Sequence, residues 1–163
     1  MSDELRNIYA REGMSDRYFD VETPCELWRG QRPADFKEGR FLFEPHPGYT
    51  KVDKATGRET VRPADVKIVE RNGQLIVLGC RCTRGDFRGL STFDKPIAWF
   101  KPAWVNFSIP KGTKLPPGLA VIRDEYNRAT NATHYTIAPK DDMPLGLFLQ
   151  SLKAVADVAI IGA

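Results

Sequence analysis

Proline and glycine divide this chain into short apolar runs, and that division limits its fold more than any other sequence feature. Twelve prolines and 13 glycines stand among 163 residues, so uninterrupted runs are brief. The strongest turn signal is Asn72-Gly73, a pair that accepts the positive φ angles of a type I′ turn. It separates residues 66–70 from residues 74–78, and we therefore expect a β-hairpin there.

Four other short apolar runs are typical of strands. They lie at 26–30, 90–93, 119–122 and 134–138. Residues 44–65 carry many charges and prolines, so we expect a long surface loop at that place.

Helical periodicity is confined to the two ends of the chain. Leu5, Ile8 and Tyr9 share one helical face. A second apolar stripe predicts a C-terminal helix at about 143–161, with Asp142 as its N-cap. This stripe consists of Leu145, Phe148, Leu149, Leu152, Val155, Ala156 and Ala159. Short strands between terminal helices predict an α+β fold, and the absence of a repeat or linker predicts one domain, residues 1–163.

Charge and leader patterns favour an ordinary cytoplasmic protein. The formal net charge is +3, from 24 basic and 21 acidic residues, which is too mild to indicate nucleic-acid binding. The N-terminus is charged and lacks the apolar core of a secretory signal, and no run is apolar enough to span a membrane. If the protein leaves its cell, we expect a route that needs no signal peptide.

The cysteines and histidines do not form a metal or disulfide pattern. Cys25, Cys80 and Cys82 are an odd and sparse set, which predicts free thiols. The two histidines, His46 and His134, are far apart, so no metal site is expected. A phosphate-binding Gly-rich loop and a Gly-x-Ser-x-Gly elbow are also absent from the sequence.

Three separate pieces could carry chemistry. Arg29 precedes Gly30, and a planar guanidinium suits phosphate. Ser91 and Thr92 are adjacent hydroxyls, of which only one can face a cleft because strand side chains alternate. His134 shares a strand face with Thr136, and no acid is close to it in sequence. Taken singly, each piece also has an ordinary structural explanation.

Three motifs in order resemble a known toxin family. They are Ile109-Pro110-Lys111-Gly112-Thr113-Lys114-Leu115-Pro116-Pro117-Gly118-Leu119, Asp124-Glu125-Tyr126-Asn127-Arg128, and Ala132-Thr133-His134-Tyr135-Thr136-Ile137. Their order and spacing resemble the type six exported effector two family of type VI secretion effector toxins. Leu27-Trp28-Arg29-Gly30 and Gly89-Leu90-Ser91-Thr92-Phe93-Asp94 resemble its first-strand arginine and its hydroxyl motif, so the likeness spans about residues 27–139.

The resemblance implies an ADP-ribosyltransferase-like fold, in which two small, mostly antiparallel sheets form a cleft flanked by helices. NAD would be the substrate held in that cleft. Arg29, Ser91 and His134 would be the catalytic residues, and Tyr126 could stack on a ring. The implied NAD-binding residues are Arg29, Gly30, Ser91, Thr92, Phe93, Tyr126 and Asn127.

The implied function is a toxin that acts in the target-cell cytoplasm, by ADP-ribosyl transfer or NAD hydrolysis. Its implied partners are the type VI secretion machinery, a cognate immunity protein and an acceptor whose nature the sequence leaves open. The chain departs from the family in two ways. Leu90 stands where the family has a hydroxyl residue, so either Thr92 takes over that hydroxyl or the motif is shifted by one position. A Glu-x-Glu motif is also missing, and Glu125 is a candidate replacement.

Two other functions fit the residues. In a metal-independent ribonuclease toxin, His134 would be the acid–base group and basic side chains would hold phosphates. In a non-catalytic binding module, the fold would persist without the chemistry, which the missing acidic motif favours.

Overall fold

Residues 3–31, 43–83, 89–97 and 104–162 are described by a computed structural model. Within these ranges the chain has α+β architecture, with strands as its main elements. The helices are α1 (Glu4–Arg11), a 3₁₀ turn (Ser15–Arg17) and α2 (Leu145–Ala156). The strands are β1 (Tyr18–Phe19), β2 (Leu27–Gln31), β3 (Tyr49–Val52), β4 (Glu59–Arg62), β5 (Ile68–Arg71), β6 (Gln74–Val77), β7 (Leu90–Phe93), β8 (Val105–Ile109), β9 (Leu119–Asn127), β10 (Ala132–Pro139), β11 (Met143–Pro144) and β12 (Ile160–Gly162).

The strands of the described ranges form one large sheet and two small ones. The large sheet has seven strands in the order β1-β9-β10-β7-β2-β8-β12. A three-stranded sheet has the order β11-β6-β5, and β3 pairs with β4 alone. All of these pairings are antiparallel. The predicted α+β class with mostly antiparallel sheets is therefore confirmed, although one sheet is much larger than the prediction of two small sheets.

The two faces of the large sheet are covered differently. Helix α2 packs Phe148, Leu152 and Val155 into the main core, together with alternate residues of β7, β9 and β10. Helix α1 packs Leu5 and Tyr9 on a second cluster that includes Ile122 of β9 and Ala138 of β10. Because α1 has only eight residues, it covers part of its face and leaves the neighbouring part open.

The Asn72-Gly73 hairpin is confirmed. Asn72 has a φ of 52° and Gly73 a φ of 77°, as a type I′ turn requires. The flanking strands β5 and β6 pair in the expected antiparallel register.

Two segments, one in the middle of the chain and one near its end, differ from their predictions. Residues 44–65 contain the β3–β4 hairpin, whose strands are exposed throughout, so the predicted surface loop is in part a strand pair. The C-terminal helix, predicted at about 143–161, spans only Leu145–Ala156. Met143 and Pro144 instead pair with β6, and Ile160–Gly162 pairs with β8 at the far edge of the large sheet.

Asp142 does not cap α2. Its carboxylate accepts hydrogen bonds from the Gly79 backbone N–H at 2.9 Å and from Arg71 and Arg81 at 3.0 and 2.8 Å. These contacts tie Asp142 to β5 and to the loop after β6, and the next two residues, Met143 and Pro144, pair with β6 before α2 begins. The Gly79 N–H, followed by the Arg71 hydrogen bond, lowers the pKa of Asp142 below the ordinary value despite some burial.

Three further features of the sequence are its cysteines, an aromatic-rich stretch at residues 99–107, and the lack of a membrane-spanning run. Cys25, Cys80 and Cys82 form no disulfide; Cys80 is buried, whereas Cys25 and Cys82 are partly exposed. The aromatic stretch of residues 99–107 lies partly outside the described residues, and its described end forms β8. In the described part of the chain, no helix combines the length and apolar character needed to cross a membrane.

The close approach of β7 to β10 gives a first testable prediction. A Cβ on Gly89 would lie 2.5 Å from the Ile137 carbonyl oxygen and 2.5 Å from Thr136 Cγ2. We expect Gly89→Ala to lower the free energy of unfolding by about 2 kcal/mol or more, because the backbone must shift to make room. The matched control is Gly146→Ala in α2, where the new methyl meets nothing within 4 Å. It should raise stability by roughly 0.5 kcal/mol in chemical denaturation. Equal stability of the two variants would contradict the assigned contact.

Asp142 gives a second prediction, on pH dependence. The pKa of Asp142 is lower in the folded chain than in the unfolded one. Its contribution to stability is therefore complete above the ordinary aspartate pKa and is lost as the pH falls through the folded-state pKa. Asp142→Asn should cost about 1 kcal/mol at neutral pH, and this difference should shrink below about pH 4. Asp157→Asn is the control, since that carboxylate is 64% exposed in an i,i+4 pair with Lys153. A pH-independent cost for Asp142→Asn would refute the charge-based explanation.

Candidate functional site

A polar pocket lies on the part of the large sheet that α1 leaves open. Its volume is about 800 Å³, within the range of ~300–1,000 Å³ that is typical of small-molecule sites. Strands β7, β9 and β10 supply its floor, and the turn after β9 supplies one side. The described lining residues are Gly89, Ser91, Phe93, Asp124, Glu125, Tyr126, Asn127, Arg128, His134 and Thr136.

Strand register brings Ser91 and His134 together. On β7, Leu90 and Thr92 point into the core, so alternation turns Ser91 and Phe93 toward the pocket. Antiparallel pairing then sets Phe93 opposite His134 and Ser91 opposite Thr136. Two of the three predicted catalytic residues thus line one pocket, although 43 positions separate them in the chain.

His134 is held by an acid that the sequence analysis did not assign to it. Its Nδ1 lies 2.6 Å from Oδ2 of Asp124, and Thr136 Oγ1 donates to the same oxygen at 2.6 Å. The imidazole also packs edge-on against Phe93, with ring centroids 5.2 Å apart and an interplanar angle of 71°. The ring is therefore fixed by a charged hydrogen bond on one edge and by an aromatic contact on its side.

Arg29 supports the pocket without lining it among the described residues. Its Nη1 donates to the Ser91 carbonyl oxygen at 2.8 Å, and its guanidinium carbon lies 5.5 Å from the centroid of the buried Phe43 ring. Leu27, two residues earlier on β2, is in the same core as Phe43. Alternation therefore places the Arg29 side chain on the core side of the sheet, opposite the side chains of Ser91 and His134. Of the three side chains predicted to share one groove, Ser91 and His134 line the described pocket and Arg29 does not.

Gly30 and Thr92 also lie away from the described lining. Gly30 lies on β2, the neighbour of β7 in the sheet, and pairs with Asn106 of β8 on the other side. Thr92 is 0% exposed and its Oγ1 donates to the Tyr135 carbonyl oxygen at 3.0 Å. Of the two adjacent hydroxyls, Ser91 is thus the one that faces the pocket, and Thr92 ties β7 to β10 from beneath.

The end of β9 forms the outer wall of the pocket. The Tyr126 side chain lines it and is 54% exposed, with its hydroxyl 2.5 Å from Oδ1 of Asn131. Asn127 lies beside it and uses its side-chain oxygen to accept the Ala129 N–H at 2.9 Å. Arg128 follows and is exposed, with no ion-pair partner among the described residues. This wall therefore offers an aromatic face next to a guanidinium.

Glu125 is poorly placed to supply the acid of the pocket. The structure extends β9 through Glu125 to Asn127, so this residue lies within a strand. Its side chain is 87% exposed and pairs with Arg17 at 3.2 Å. Asp124, by contrast, is only 11% exposed and faces the pocket floor. The described lining therefore contains one buried carboxylate, and it is not the one that the sequence favoured.

The Tyr9 side chain on α1 is buried on the same face of the sheet as the pocket. Burial raises the pKa of the Tyr9 phenol on α1, and nearby Cys80 and Asp124 raise it further. Across the described ranges, no group of three or more His, Cys, Asp or Glu side chains is arranged to hold a metal ion.

Asp124 and Arg128 are the functional candidates that sequence reasoning missed. An aspartate that follows the apolar run 119–122 is unusual in a strand, and that was the available signal. Antiparallel pairing across the turn places Asp124 near His134, but this needs the β-bulge between Thr133 and Tyr135, which no sequence pattern announces. Arg128 was noted only as part of a motif.

Fold and site together define an α+β protein whose antiparallel sheet carries a polar pocket with the groups of a small-molecule enzyme. A family model described as "Tse2 ADP-ribosyltransferase toxin" matches residues 7–159. The chain belongs to this family of ADP-ribosyltransferase toxins. The family and toxin class predicted from the sequence motifs are thereby confirmed.

A curated relative supports the same assignment over a shorter stretch. "Toxin Tse2" of Pseudomonas aeruginosa is 45% identical to this chain over 58 residues. The matched stretch covers 36% of this chain and 36% of the relative, so about a third of the relative's length is matched.

The opposite roles of Ser91 and Thr92 give a third prediction. Thr92→Val keeps the side-chain shape but removes a buried donor to the Tyr135 carbonyl, so we expect a loss of about 1 kcal/mol in chemical denaturation. Ser91→Ala removes an exposed hydroxyl and should change stability by less than about 0.5 kcal/mol. A larger stability loss in Ser91→Ala than in Thr92→Val would reverse the assignment of the two hydroxyls.

Proposed function

We propose that the chain is a type VI secretion effector toxin that consumes NAD in the target-cell cytoplasm, by ADP-ribosyl transfer to an acceptor. Family membership supports the reaction class. The observation that carries the proposal is the shared pocket of Ser91 and His134, which an aromatic ring and a guanidinium flank at its outer wall. An aromatic face and a guanidinium are suited to a ligand that contains both rings and phosphates.

The pocket suggests which residue meets which part of NAD. Tyr126 would stack on one of the rings, since its exposed face is free to receive a planar group. Arg128 would contact the pyrophosphate, in place of Arg29, because Arg128 is the arginine in the described pocket lining. Ser91 and His134 would lie against the ribose that reacts. Arg29 would act indirectly, by fixing the backbone of Ser91.

The proposed reaction requires little covalent chemistry from these side chains. Cleavage of the nicotinamide–ribose bond develops positive charge on the ribose, as in glycoside cleavage generally. Fixed dipoles and a positioned acceptor supply much of the acceleration in such a site. The rigid hydrogen bonds around His134 are consistent with that requirement.

The proposed biological setting follows from the toxin class. The producing cell would need an immunity protein, which would cover the pocket because blocking substrate entry is sufficient protection. The type VI secretion machinery would deliver the toxin without a signal peptide. The acceptor can be a protein, a nucleic acid, a small molecule or water.

Expression in a sensitive host, with mass spectrometry of the NAD pool and of modified macromolecules, tests the proposal. The unaltered chain should arrest growth and lower NAD. Ser91→Ala and His134→Ala should each slow NAD loss by at least tenfold, in line with the removal of one positioned group. His46→Ala is the matched control, because His46 lies outside the described pocket lining and should leave NAD loss intact.

The same experiment separates the other two functions. Degraded cellular RNA with a normal NAD pool would replace the proposal with a ribonuclease. Normal growth, together with no NAD binding by calorimetry, would leave a binding module. Undiminished arrest in both pocket variants would remove Ser91 and His134 from the site.

A further inference from the structure

The two histidines of the chain are held in opposite ways by their hydrogen bonds. His46 Nδ1 accepts the Gly48 N–H at 2.9 Å, so a neutral His46 carries its proton on Nε2. His134 Nδ1 faces Oδ2 of Asp124 at 2.6 Å, and a carboxylate can only accept. A neutral His134 therefore carries its proton on Nδ1, which leaves Nε2 as an unprotonated acceptor.

Asp124 is itself fixed in a way that suits orientation of a neighbour. Its side chain is 11% exposed, and Thr136 donates a second hydrogen bond to the oxygen that faces His134. Its other oxygen, Oδ1, is buried and has no hydrogen-bond partner in the described part of the chain. A carboxylate held at one oxygen by two short contacts cannot rotate without losing both of them.

We propose that Asp124 is a positioning residue that keeps His134 protonated at Nδ1 and presents Nε2 to the pocket as a proton acceptor. The inference rests on the proposed function only for the identity of the substrate. The geometry itself comes from three neighbouring side chains, Asp124, His134 and Thr136. The partner arrangement is the general one in which the second nitrogen of a histidine is set by what binds the first.

This arrangement assigns the proton in the transfer step. An acceptor with an O–H or N–H group attacks the ribose carbon, and the bond to nicotinamide breaks with its electron pair leaving on the ring nitrogen. The proton of the attacking group passes to Nε2 of His134. The imidazolium that forms is stabilised by the carboxylate of Asp124 and later gives its proton to water. The products are neutral nicotinamide, the modified acceptor and one released proton.

Nitrogen NMR of the histidine rings tests the proposal without any enzyme assay. The full chain, prepared by cell-free synthesis with labelled histidine, contains only two imidazoles. At about pH 8.5, where an ordinary imidazole is neutral, His134 should show a protonated Nδ1 and His46 a protonated Nε2. The two signals act as references for each other. A protonated Nε2 on His134 in the unaltered chain would overturn the positioning role.

Two matched variants connect the tautomer to turnover. Asp124→Asn removes the charge that favours a proton on Nδ1, so His134 should shift toward the Nε2–H form. NAD turnover should then fall at least tenfold, with KM changed less than threefold. Asp157→Asn is the control, because it makes the same chemical change on an exposed carboxylate outside the described pocket lining. It should keep turnover within twofold and leave the His134 signals unchanged.

The outcomes separate this proposal from the function on which it rests. A protonated Nδ1 in a chain that does not consume NAD would remove the proposed function and support the positioning geometry. Normal turnover in Asp124→Asn would overturn the positioning role and leave NAD consumption standing. If Asp124→Asn does not fold, Thr136→Val provides the second variant, since it removes one of the two contacts on the carboxylate. Thr136→Val should lower turnover at least threefold with His134 still protonated at Nδ1, and unchanged turnover would count against the proposal.

Discussion

The pairing of β7 with β10 is the contact on which the rest of the site depends. It sets Phe93 opposite His134 and Ser91 opposite Thr136, and so converts two remote sequence segments into one polar surface. The strands approach so closely at Gly89 that no side chain fits between that residue and β10. Below the sheet, the Thr92 hydroxyl binds the Tyr135 carbonyl and holds the same two strands together. A shift of one residue in this register would turn Ser91 into the core.

Unequal coverage of the two sheet faces explains why a pocket exists. Helix α2 contributes Phe148, Leu152 and Val155 to a continuous core on one face. On the other face, α1 packs on Ile122 and Ala138 but does not extend over the polar residues next to them on the same side of β9 and β10. Asp124, His134 and Thr136 lie at these positions, and the side chain of His134 is the most exposed of the three, at 29%. The pocket is therefore a consequence of a short helix on a long hairpin.

The sequence predicted what depends on local chemistry and missed what depends on pairing. Asn72-Gly73 specified its hairpin because positive φ angles are a property of those two residues. The toxin family followed from motifs at a fixed spacing. The contact between Asp124 and His134 could not be read, since it needs both the β9–β10 register and a bulge within it. The orientation of the Arg29 side chain could have been predicted, because alternation from Leu27 places it on the core side of the sheet. Asp142 resembled a helix cap, yet backbone and arginine donors from other segments hold its carboxylate.

The departure at Leu90 has a physical explanation in the same alternation. Leu90 is 0% exposed and belongs to the core that α2 covers, so any side chain at that position faces away from the pocket. A hydroxyl at position 90 would face the core, so leucine at this position removes no group from the pocket floor. The hydroxyl of β7 that lines the pocket is that of Ser91, because the strand turns it to the opposite side from Leu90. Position 90 therefore belongs to the core, and the departure from the resembled motif at Leu90 leaves the pocket lining unchanged.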